Sequence, residues 1–234
     1  MINKTIHYCK FGNSADSDLV KMCKESWKRH LEGYEFKEWN ESNFDVNSHP
    51  YTKRAYEKKM YAFVADYVRI WALYNYGGIY LDTDVEVFKS FDDLLDSEVF
   101  LGFETDYLVA TCVIGAEKGS GFIGEFFAKY ENKRFAGLET NVDFLADFLR
   151  AKGFKLNGSK YEEQGRVKIY PQRCFSPKDR ATGKFEVEDD TYCVHHFAAS
   201  WLPWYIKFEE YICKVLGIRC RSICYRFNKK YLSK

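Results

Sequence analysis

The chain has 234 residues, of which 46% are hydrophobic and 18% aromatic, so it is long enough to bury the core of one ordinary domain. Its 35 basic residues nearly balance its 34 acidic residues, giving a formal net charge of +1. This balance provides no overall positive field, and we predict no nucleic-acid partner. The sequence shows no signal-peptide core, and its longest apolar run is half of the ~20 residues that span a bilayer. We therefore expect a cytoplasmic protein.

The predicted elements begin with a strand, a helix and a second strand. Residues 5–9 form a short β-rich run, and Asp16 or Ser17 can cap an amphipathic helix that runs towards His30. Residues 34–39 then alternate polar and apolar side chains, as a strand does. A β–α–β opening favours a parallel sheet.

The next predicted element is helical, over residues 51–76, and its second part is apolar on most sides although it contains Asp66 and Arg69. These two residues are three apart and therefore share one helical face. They can form an internal ion pair that fastens the helix to the sheet. Alternatively, Arg69 offers its guanidinium group to a phosphate or a sugar hydroxyl while Asp66 accepts hydrogen bonds from hydroxyls.

Two aspartates follow that helix. Gly77 and Gly78 end it, and residues 79–81 form a short apolar strand that delivers Asp82 and Asp84 at its carboxyl end. With one residue between them, both carboxylates project to the same side of an extended chain. A divalent cation relieves their mutual repulsion, and Mg²⁺ or Mn²⁺ held by carboxylates takes further oxygen ligands from phosphates. The pair therefore suits a diphosphate ester.

Further elements alternate to near the end of the chain and indicate an α/β fold. The predicted strands are residues 85–88, 99–103, 108–114, 167–170 and 192–196, and the predicted helices are residues 121–130 and 142–152. We predict one domain over residues 1–206. Residues 207–234 then form a tail with eight basic and two acidic residues interleaved with apolar ones. This tail is interpreted as a helix that either packs on the domain or lies on an anionic membrane surface.

Two adjacent histidines close the last predicted strand. Neighbouring residues of a strand face opposite ways, so one of His195 and His196 can complete a metal site while the other packs. Ser200 and Trp201 follow, and their hydroxyl and indole N–H groups are possible donors to a phosphate.

Residues 61–69 (YAFVADYVR) and 76–85 (YGGIYLDTDV) together resemble the DXD sugar-binding region of glycosyltransferase family 32. This family includes capsular-polysaccharide sugar transferases and the yeast initiating mannosyltransferases. The likeness extends to residues 6–12, to residues 38–44, and to the two histidines with Ser200 and Trp201, so it spans nearly the whole domain.

The resemblance implies a GT-A fold with a mixed, mainly parallel sheet, related to the large clostridial glucosylating toxins. It also implies a Mn²⁺- or Mg²⁺-dependent transfer that retains the anomeric configuration. The donor would be a nucleotide sugar, in our interpretation a UDP-sugar, and the acceptor a glycan or lipid-linked saccharide. By the resemblance, the metal is bound by Asp84, Asp82 and His196 (or His195), and Asp82 also contacts the ribose. Asp66 and Arg69 would hold the donor sugar. Ser200 and Trp201 would contact the diphosphate.

The sequence departs from the family pattern at two positions. Lys10 stands where the toxin-like relatives have a tryptophan that stacks on uracil, and Ala65 replaces the usual serine before the aspartate of the helix. A lysine cannot stack as an indole does. We therefore expect either that Tyr8 or Phe11 contacts the base, or that the base is held in a different way.

Two other functions would use the same residues. A metal-dependent nucleotide-sugar hydrolase or phosphotransferase would need the same aspartates and histidine, with water in place of the sugar acceptor. A non-catalytic glycan-binding module is the third alternative. For the contacts to the donor sugar and the acceptor we predict residues 104–111 and 137–141, which lie between core elements.

Overall fold

The computed structural model describes residues 1–135, 141–179 and 182–198, together with residues 208 and 212. Strands and helices alternate along these ranges, as predicted. The strands are β1 (Thr5–Cys9), β2 (Glu35–Trp39), β3 (Gly78–Leu81), β4 (Val85–Val87), β5 (Val99–Phe103), β6 (Val109–Ala116), β7 (Glu162–Gln164), β8 (Val167–Tyr170) and β9 (Cys193–His195). The helices are α1 (Asp18–His30), α2 (Pro50–Glu57), α3 (Tyr61–Tyr76), α4 (Gly121–Glu131), α5 (Asn141–Ala151) and α6 (Gln172–Phe175).

Seven strands of the described residues form one mixed sheet in the order β2-β1-β3-β6-β5-β8-β7. The pairs β1–β2, β1–β3 and β5–β8 are parallel, whereas β6 and β7 run against their neighbours. Five of these seven strands therefore point the same way. A second, two-stranded sheet pairs β4 with β9. This architecture confirms the predicted α/β fold with a mixed, mainly parallel sheet.

The predicted helix over residues 51–76 is two helices in the structure. The chain breaks between α2 and α3 at Lys59, a non-glycine residue with a φ of 58°, which cannot continue a right-handed helix. The short strand β7, the one-turn helix α6 and a 3₁₀ turn at Asp92–Leu94 were not predicted, because each is too short to show a period. The tail over residues 207–234 lies outside the described residues except for 208 and 212.

The start of β3 is held by a buried histidine. Trp39 Nε1 donates to His7 Nδ1 (3.1 Å), so the proton of the neutral ring is on Nε2, which donates to the Gly77 carbonyl (2.8 Å). Burial lowers the pKa of His7 to about 4, which keeps the ring neutral. Gly78 follows with a φ of 98°, and a Cβ there would lie 2.5 Å from the backbone oxygen of Thr5. A glycine is therefore required before the strand that carries the aspartates.

Helix α1 fixes the small sheet beside β3. Trp27 Nε1 donates to the Val85 carbonyl (2.7 Å), and the Ser26 hydroxyl accepts from the Val87 N–H (2.9 Å), so one face of α1 holds both ends of β4. Both side chains are buried. No helix among the described residues is both long enough and apolar enough to cross a membrane.

Candidate functional site

The two aspartates of the DXD triplet lie where β3 ends, between the large sheet and the small one. The Asp82 N–H donates to the Cys112 carbonyl on β6 (2.8 Å), which holds the triplet against the centre of the sheet. In the folded protein, 25% of the Asp82 side-chain surface and 14% of the Asp84 side-chain surface remain exposed to solvent. Each carboxylate is therefore partly desolvated but accessible to a ligand.

Strand β9 brings a histidine to Asp84. His195 pairs with Val85 across the small sheet, and its Nε2 atom lies 3.4 Å from Asp84 Oδ2. The chain then wraps around the aspartate, because His196 N–H donates to the Asp84 carbonyl (3.0 Å) and Ala198 N–H donates to Oδ2 (2.8 Å). Phe197, with a φ of 55°, makes the turn that aims this last amide.

The structure places His195, rather than His196, beside the two aspartates. We expected His196 in the metal site, but its Nε2 atom lies 2.8 Å from Glu86 Oε2, and its Nδ1 atom lies 3.2 Å from Lys178 Nζ. The residues do face opposite ways, as expected for a strand. The side chain turned towards the aspartates is that of His195, because it is His195 that pairs with Val85, next to Asp84.

Asp82, Asp84 and His195 converge closely enough to share one metal ion. Among the described residues, one ligand atom from each lies within 4.8 Å of the other two. Two carboxylates and an imidazole suit Mn²⁺ or Mg²⁺, which also take ligands from phosphates. The donor set therefore fits the cation that the sequence suggested.

Asp84 is negatively charged over the whole physiological range. Burial alone would raise its pKa, but the hydrogen bond and charge of His195, together with the Ala198 N–H, lower the pKa to about 2. The site thus offers a fixed negative charge to a cation.

Arg69 is already used within the protein. Its Nη2 atom pairs with Asp66 Oδ1 (2.9 Å) and Asp82 Oδ1 (3.1 Å), and its Nη1 atom donates to the Thr111 carbonyl. The side chain is 5% exposed. The geometry therefore favours the internal ion pair that the spacing of Asp66 and Arg69 suggested, and extends it to Asp82. Little of the guanidinium group remains for a phosphate or a sugar.

Tyr80 is a part of the site that the sequence analysis missed. Its hydroxyl donates to Asp82 Oδ1 (3.0 Å), and its ring lies under the Arg69 guanidinium carbon at 4.6 Å from the ring centre. Burial raises the pKa of Tyr80, so the hydroxyl keeps its proton. Because side chains alternate along β3, the Tyr80 ring lies on the face of the sheet that carries α3. An aromatic residue in a strand usually belongs to the core, so the sequence alone did not indicate a role in the site.

The raised pKa of Asp66 predicts that the free energy of unfolding depends on pH. Burial raises its pKa to about 6, despite the opposing charge of Arg69, whereas an aspartate in an unfolded chain titrates near 3.8. The folded state binds the Asp66 proton more tightly than the unfolded chain does. Proton binding therefore stabilises the fold fully below about pH 4, and this stabilisation is lost as the pH rises to about 6. We expect this group to remove about 2–3 kcal/mol from the free energy of unfolding over that interval. Urea unfolding at pH 4 to 7 should show the decrease.

Asp66→Asn is the comparison that isolates this effect, because it leaves every other titrating group in place. The difference in free energy of unfolding between variant and wild type should grow between pH 4 and 6 in favour of the variant. Parallel pH profiles for the two proteins would show that Asp66 titrates normally.

The residues predicted at the nucleotide base are arranged differently from expectation. Phe11 is 7% exposed and packs edge-on against Phe44 in the core, so it offers no face to a base. Tyr8 is half-buried, with its ring against Trp27 and the Lys24 ammonium. Neither ring is freely presented.

An open depression lies beside these residues, at the carboxyl ends of β1 and β2. It is lined by Lys10, Gly12, Asn13, Ser14, Glu38, Asn40, Glu41, Tyr56 and Tyr61. Lys10 pairs with Asp16 (2.8 Å). Its lining contains two aromatic residues, Tyr56 and Tyr61, which were not among the predicted contacts to the base.

Other predicted contacts divide between described and undescribed residues. Ser200 and Trp201 lie outside the described residues, as do residues 137–140 of the second segment predicted to contact the donor sugar and the acceptor. Residues 104–111 are described, and the chain turns there between β5 and β6, where the Glu104 N–H donates to the Leu108 carbonyl (2.8 Å).

Residues 17–101 match the protein family described as the glycosyltransferase sugar-binding region containing the DXD motif. The chain is also 32% identical over 126 residues to inositol phosphoceramide mannosyltransferase 3 of Schizosaccharomyces pombe. This aligned region covers 52% of this chain and 35% of the yeast protein. It is 32% identical over 123 residues to an uncharacterized protein of Arabidopsis thaliana, covering 48% of this chain and 18% of that protein. The chain thus spans about a third of the length of the yeast relative and less than a fifth of the plant one.

Among solved structures, the PaToxG glycosyltransferase is similar in fold, with a TM-score of 0.50 at 16% identity, over 64% of this chain and 70% of that one. This likeness concerns the fold alone. The family match over residues 17–101 confirms the resemblance to DXD-containing glycosyltransferases that the motif predicted.

Proposed function

We propose that this chain, which carries the DXD sugar-binding region of glycosyltransferases in residues 17–101, transfers a hexose or N-acetylhexosamine from a nucleotide sugar to an acceptor hydroxyl. The observation that carries the proposal is the convergence of Asp82, Asp84 and His195 within 4.8 Å at the carboxyl end of β3. In α/β folds this edge binds ligands.

The reaction breaks the bond between the anomeric carbon and the diphosphate oxygen and forms a bond from that carbon to the acceptor oxygen. Asp82, Asp84 and His195 would hold Mn²⁺ or Mg²⁺, which supplies positive charge for the departing diphosphate. The acceptor proton passes to the departing phosphate on the same face of the sugar, and the configuration is retained. We take the donor to be a UDP-sugar.

The protein's own residues set the geometry of this site. Arg69 and Tyr80 both contact Asp82 Oδ1, and the Ala198 N–H donates to Asp84. Rigid placement of charge before the reaction is what lowers the barrier in such sites. Ser200 and Trp201, which follow Ala198 in the chain, are proposed as further donors to the diphosphate.

At the other end of the donor, the base is proposed to enter the depression beside Lys10. Tyr8 remains a proposed contact, and Tyr61, which lines the depression, is a second aromatic candidate. The acceptor is proposed to be a glycan or a lipid-linked saccharide. The match to a mannosyltransferase that acts on an inositol phosphoceramide adds mannose to the donors to be tested.

A donor and acceptor screen tests the proposal. We expect purified protein with Mn²⁺ to release nucleoside diphosphate from one of UDP-glucose, UDP-galactose, their N-acetyl forms or GDP-mannose, and to do so at least about tenfold faster with an acceptor saccharide present. The product should keep the anomeric configuration of the donor, as NMR of the new linkage will show. EDTA should abolish turnover, and Mn²⁺ should restore it.

The outcomes separate the three candidate functions. Release of free sugar at a rate that no acceptor changes would identify a hydrolase instead. Saccharide binding that survives EDTA, without turnover of any donor, would identify a glycan-binding module.

A further inference from the structure

His196 is held at every one of its hydrogen-bonding atoms, although its ring is turned away from the metal ligands. Its N–H donates to the Asp84 carbonyl (3.0 Å), and its own carbonyl accepts from Lys178 Nζ (3.2 Å). Its ring nitrogens lie 2.8 Å from Glu86 Oε2 and 3.2 Å from Lys178 Nζ. We call this group of three residues, Glu86, His196 and Lys178, the His196 clamp.

The two ring partners of His196 decide its tautomer. A lysine ammonium group has protons to donate and no lone pair, so His196 Nδ1 accepts from Lys178. The ring proton is then on Nε2, which donates to the Glu86 carboxylate. The ring is therefore fixed in one orientation between an anion on β4 and a cation on the chain that follows α6.

The residue after the clamp has a strained backbone conformation. Phe197 has a φ of 55°, which a residue with a Cβ rarely adopts. Such a conformation persists only where the surrounding structure holds it, and it is found most often at functional sites. The Phe197 ring centre lies 4.2 Å from that of His195, and the next amide, Ala198 N–H, donates to Asp84 Oδ2 at 2.8 Å. The clamp therefore precedes a strained turn that ends on a proposed metal ligand.

We propose that Lys178 is a positioning residue, which acts through His196 to hold the strained turn at Phe197. The chain that leaves this turn carries Ser200 and Trp201, the proposed donors to the diphosphate, so the turn decides where these donors reach. Lys178 suits this role because it contacts both the ring and the carbonyl of His196 and so restrains the side chain and the backbone together. The inference rests on the proposed function and adds a residue that touches neither the metal nor the sugar.

Loss of the clamp should affect the diphosphate more than the metal. The metal ligand His195 is held by the pairing of β9 with β4, where it lies opposite Val85, and this pairing does not involve Lys178. Donors to the diphosphate contribute fully only when they are ordered before the ligand arrives, because ordering them on binding costs free energy. Without Lys178, the turn can relax from its strained conformation, and the donors after it lose their fixed position.

The test is Lys178→Met, which keeps an unbranched side chain but removes the ammonium group. With saturating Mn²⁺, we expect the affinity for UDP or GDP, whichever wild type binds, to fall at least about tenfold in calorimetry. The affinity for Mn²⁺ alone should change less than about threefold, because the metal ligands stay in place. Lys178→Arg can donate to the same two atoms of His196 and should bind the nucleoside diphosphate within about threefold of wild type.

A second background separates positioning from a direct contact with the phosphate. His196→Leu removes the ring that Lys178 holds, so adding Lys178→Met to it should weaken diphosphate binding far less than Lys178→Met does in wild type. Equal losses in the two backgrounds would show that Lys178 binds the diphosphate itself and would overturn the inference. Lys168→Met is the matched control, because its partly buried ammonium group pairs with Asp96 on the other side of the large sheet's centre, and it should bind both ligands as wild type does.

The remaining outcomes also decide the inference. Equal weakening of Mn²⁺ and diphosphate binding in Lys178→Met, with no recovery in Lys178→Arg, would assign the clamp a structural role and overturn it. Unchanged diphosphate binding in a folded Lys178→Met would overturn it too. If Lys178→Met does not fold, His196→Leu must show the same selective loss, and full diphosphate affinity there refutes the inference.

The wild type separates this inference from the proposed function. If it binds neither UDP nor GDP in the presence of Mn²⁺, the proposed function fails and the inference fails with it. A wild type that binds one of them, with variants that bind it equally well, refutes the inference alone.

Discussion

Asp84→Asn is expected to abolish binding of Mn²⁺ and to lower the rate of sugar transfer by about a thousandfold or more. Asp84 is the anion that meets His195, and its pKa of about 2 shows that it keeps its charge at every working pH. The amide of asparagine retains the size but not the charge, and the loss of a charged ligand removes several kcal/mol of stabilisation from the departing diphosphate. Calorimetry with Mn²⁺ and nucleotide-release assays measure the two effects separately.

Asp18→Asn is the matched control, because the Asp18 side chain is fully exposed at the start of α1. It should bind Mn²⁺ and turn over donor as wild type does. Full activity of Asp84→Asn at saturating Mn²⁺ would contradict the assigned centre.

The same measurements distinguish the two histidines. His195→Gln should weaken Mn²⁺ binding at least about tenfold, whereas His196→Gln should leave Mn²⁺ affinity nearly unchanged, since its ring contacts Glu86 and Lys178. The reverse result would restore the ligand that the sequence suggested.

The fold was predictable because its longer elements have clear periods and clear ends. Strands β5 and β8 were placed at their observed bounds, and α1 begins after Ser17, one of the two caps considered. The pairing of β4 with β9 was not predictable, because strands of three residues carry no period and their partner is over a hundred residues away. That pairing decides which histidine reaches the site.

The candidate site was predictable in its residue types and less so in its contacts. The spacing of Asp66 and Arg69 indicated a pair on one helical face, and the structure shows it. The sequence could not show that Arg69 also contacts Asp82 and the Thr111 carbonyl, since these contacts depend on how α3 lies across β3 and β6. Phe11 shows the same limit, because an aromatic residue next to a predicted nucleotide site can equally belong to the core.

Arg69→Met is expected to lower the free energy of unfolding by about 3–5 kcal/mol, with a fall in melting temperature of about 10 °C. Arg69 is the cation between Asp66 and Asp82, and its removal leaves two largely buried carboxylates without the positive charge that pairs with both. Burial already raises the pKa of Asp66, and loss of the opposing Arg69 charge should raise it further, so the deficit should be larger at pH 8 than at pH 5. Thermal melts of the two proteins at both pH values measure this.

Arg69→Lys tests geometry separately from charge. A lysine keeps the positive charge but cannot reach Asp66, Asp82 and the Thr111 carbonyl with one ammonium group, so we expect an intermediate loss of stability and little recovery of activity. Asp66→Asn combined with Arg69→Met should restore part of the stability, because one unpaired anion is removed, while Arg134→Met, at an exposed position, should change neither property. If Arg69→Met were as stable as wild type but failed to bind donor, Arg69 would contact the substrate directly rather than hold the two aspartates in place.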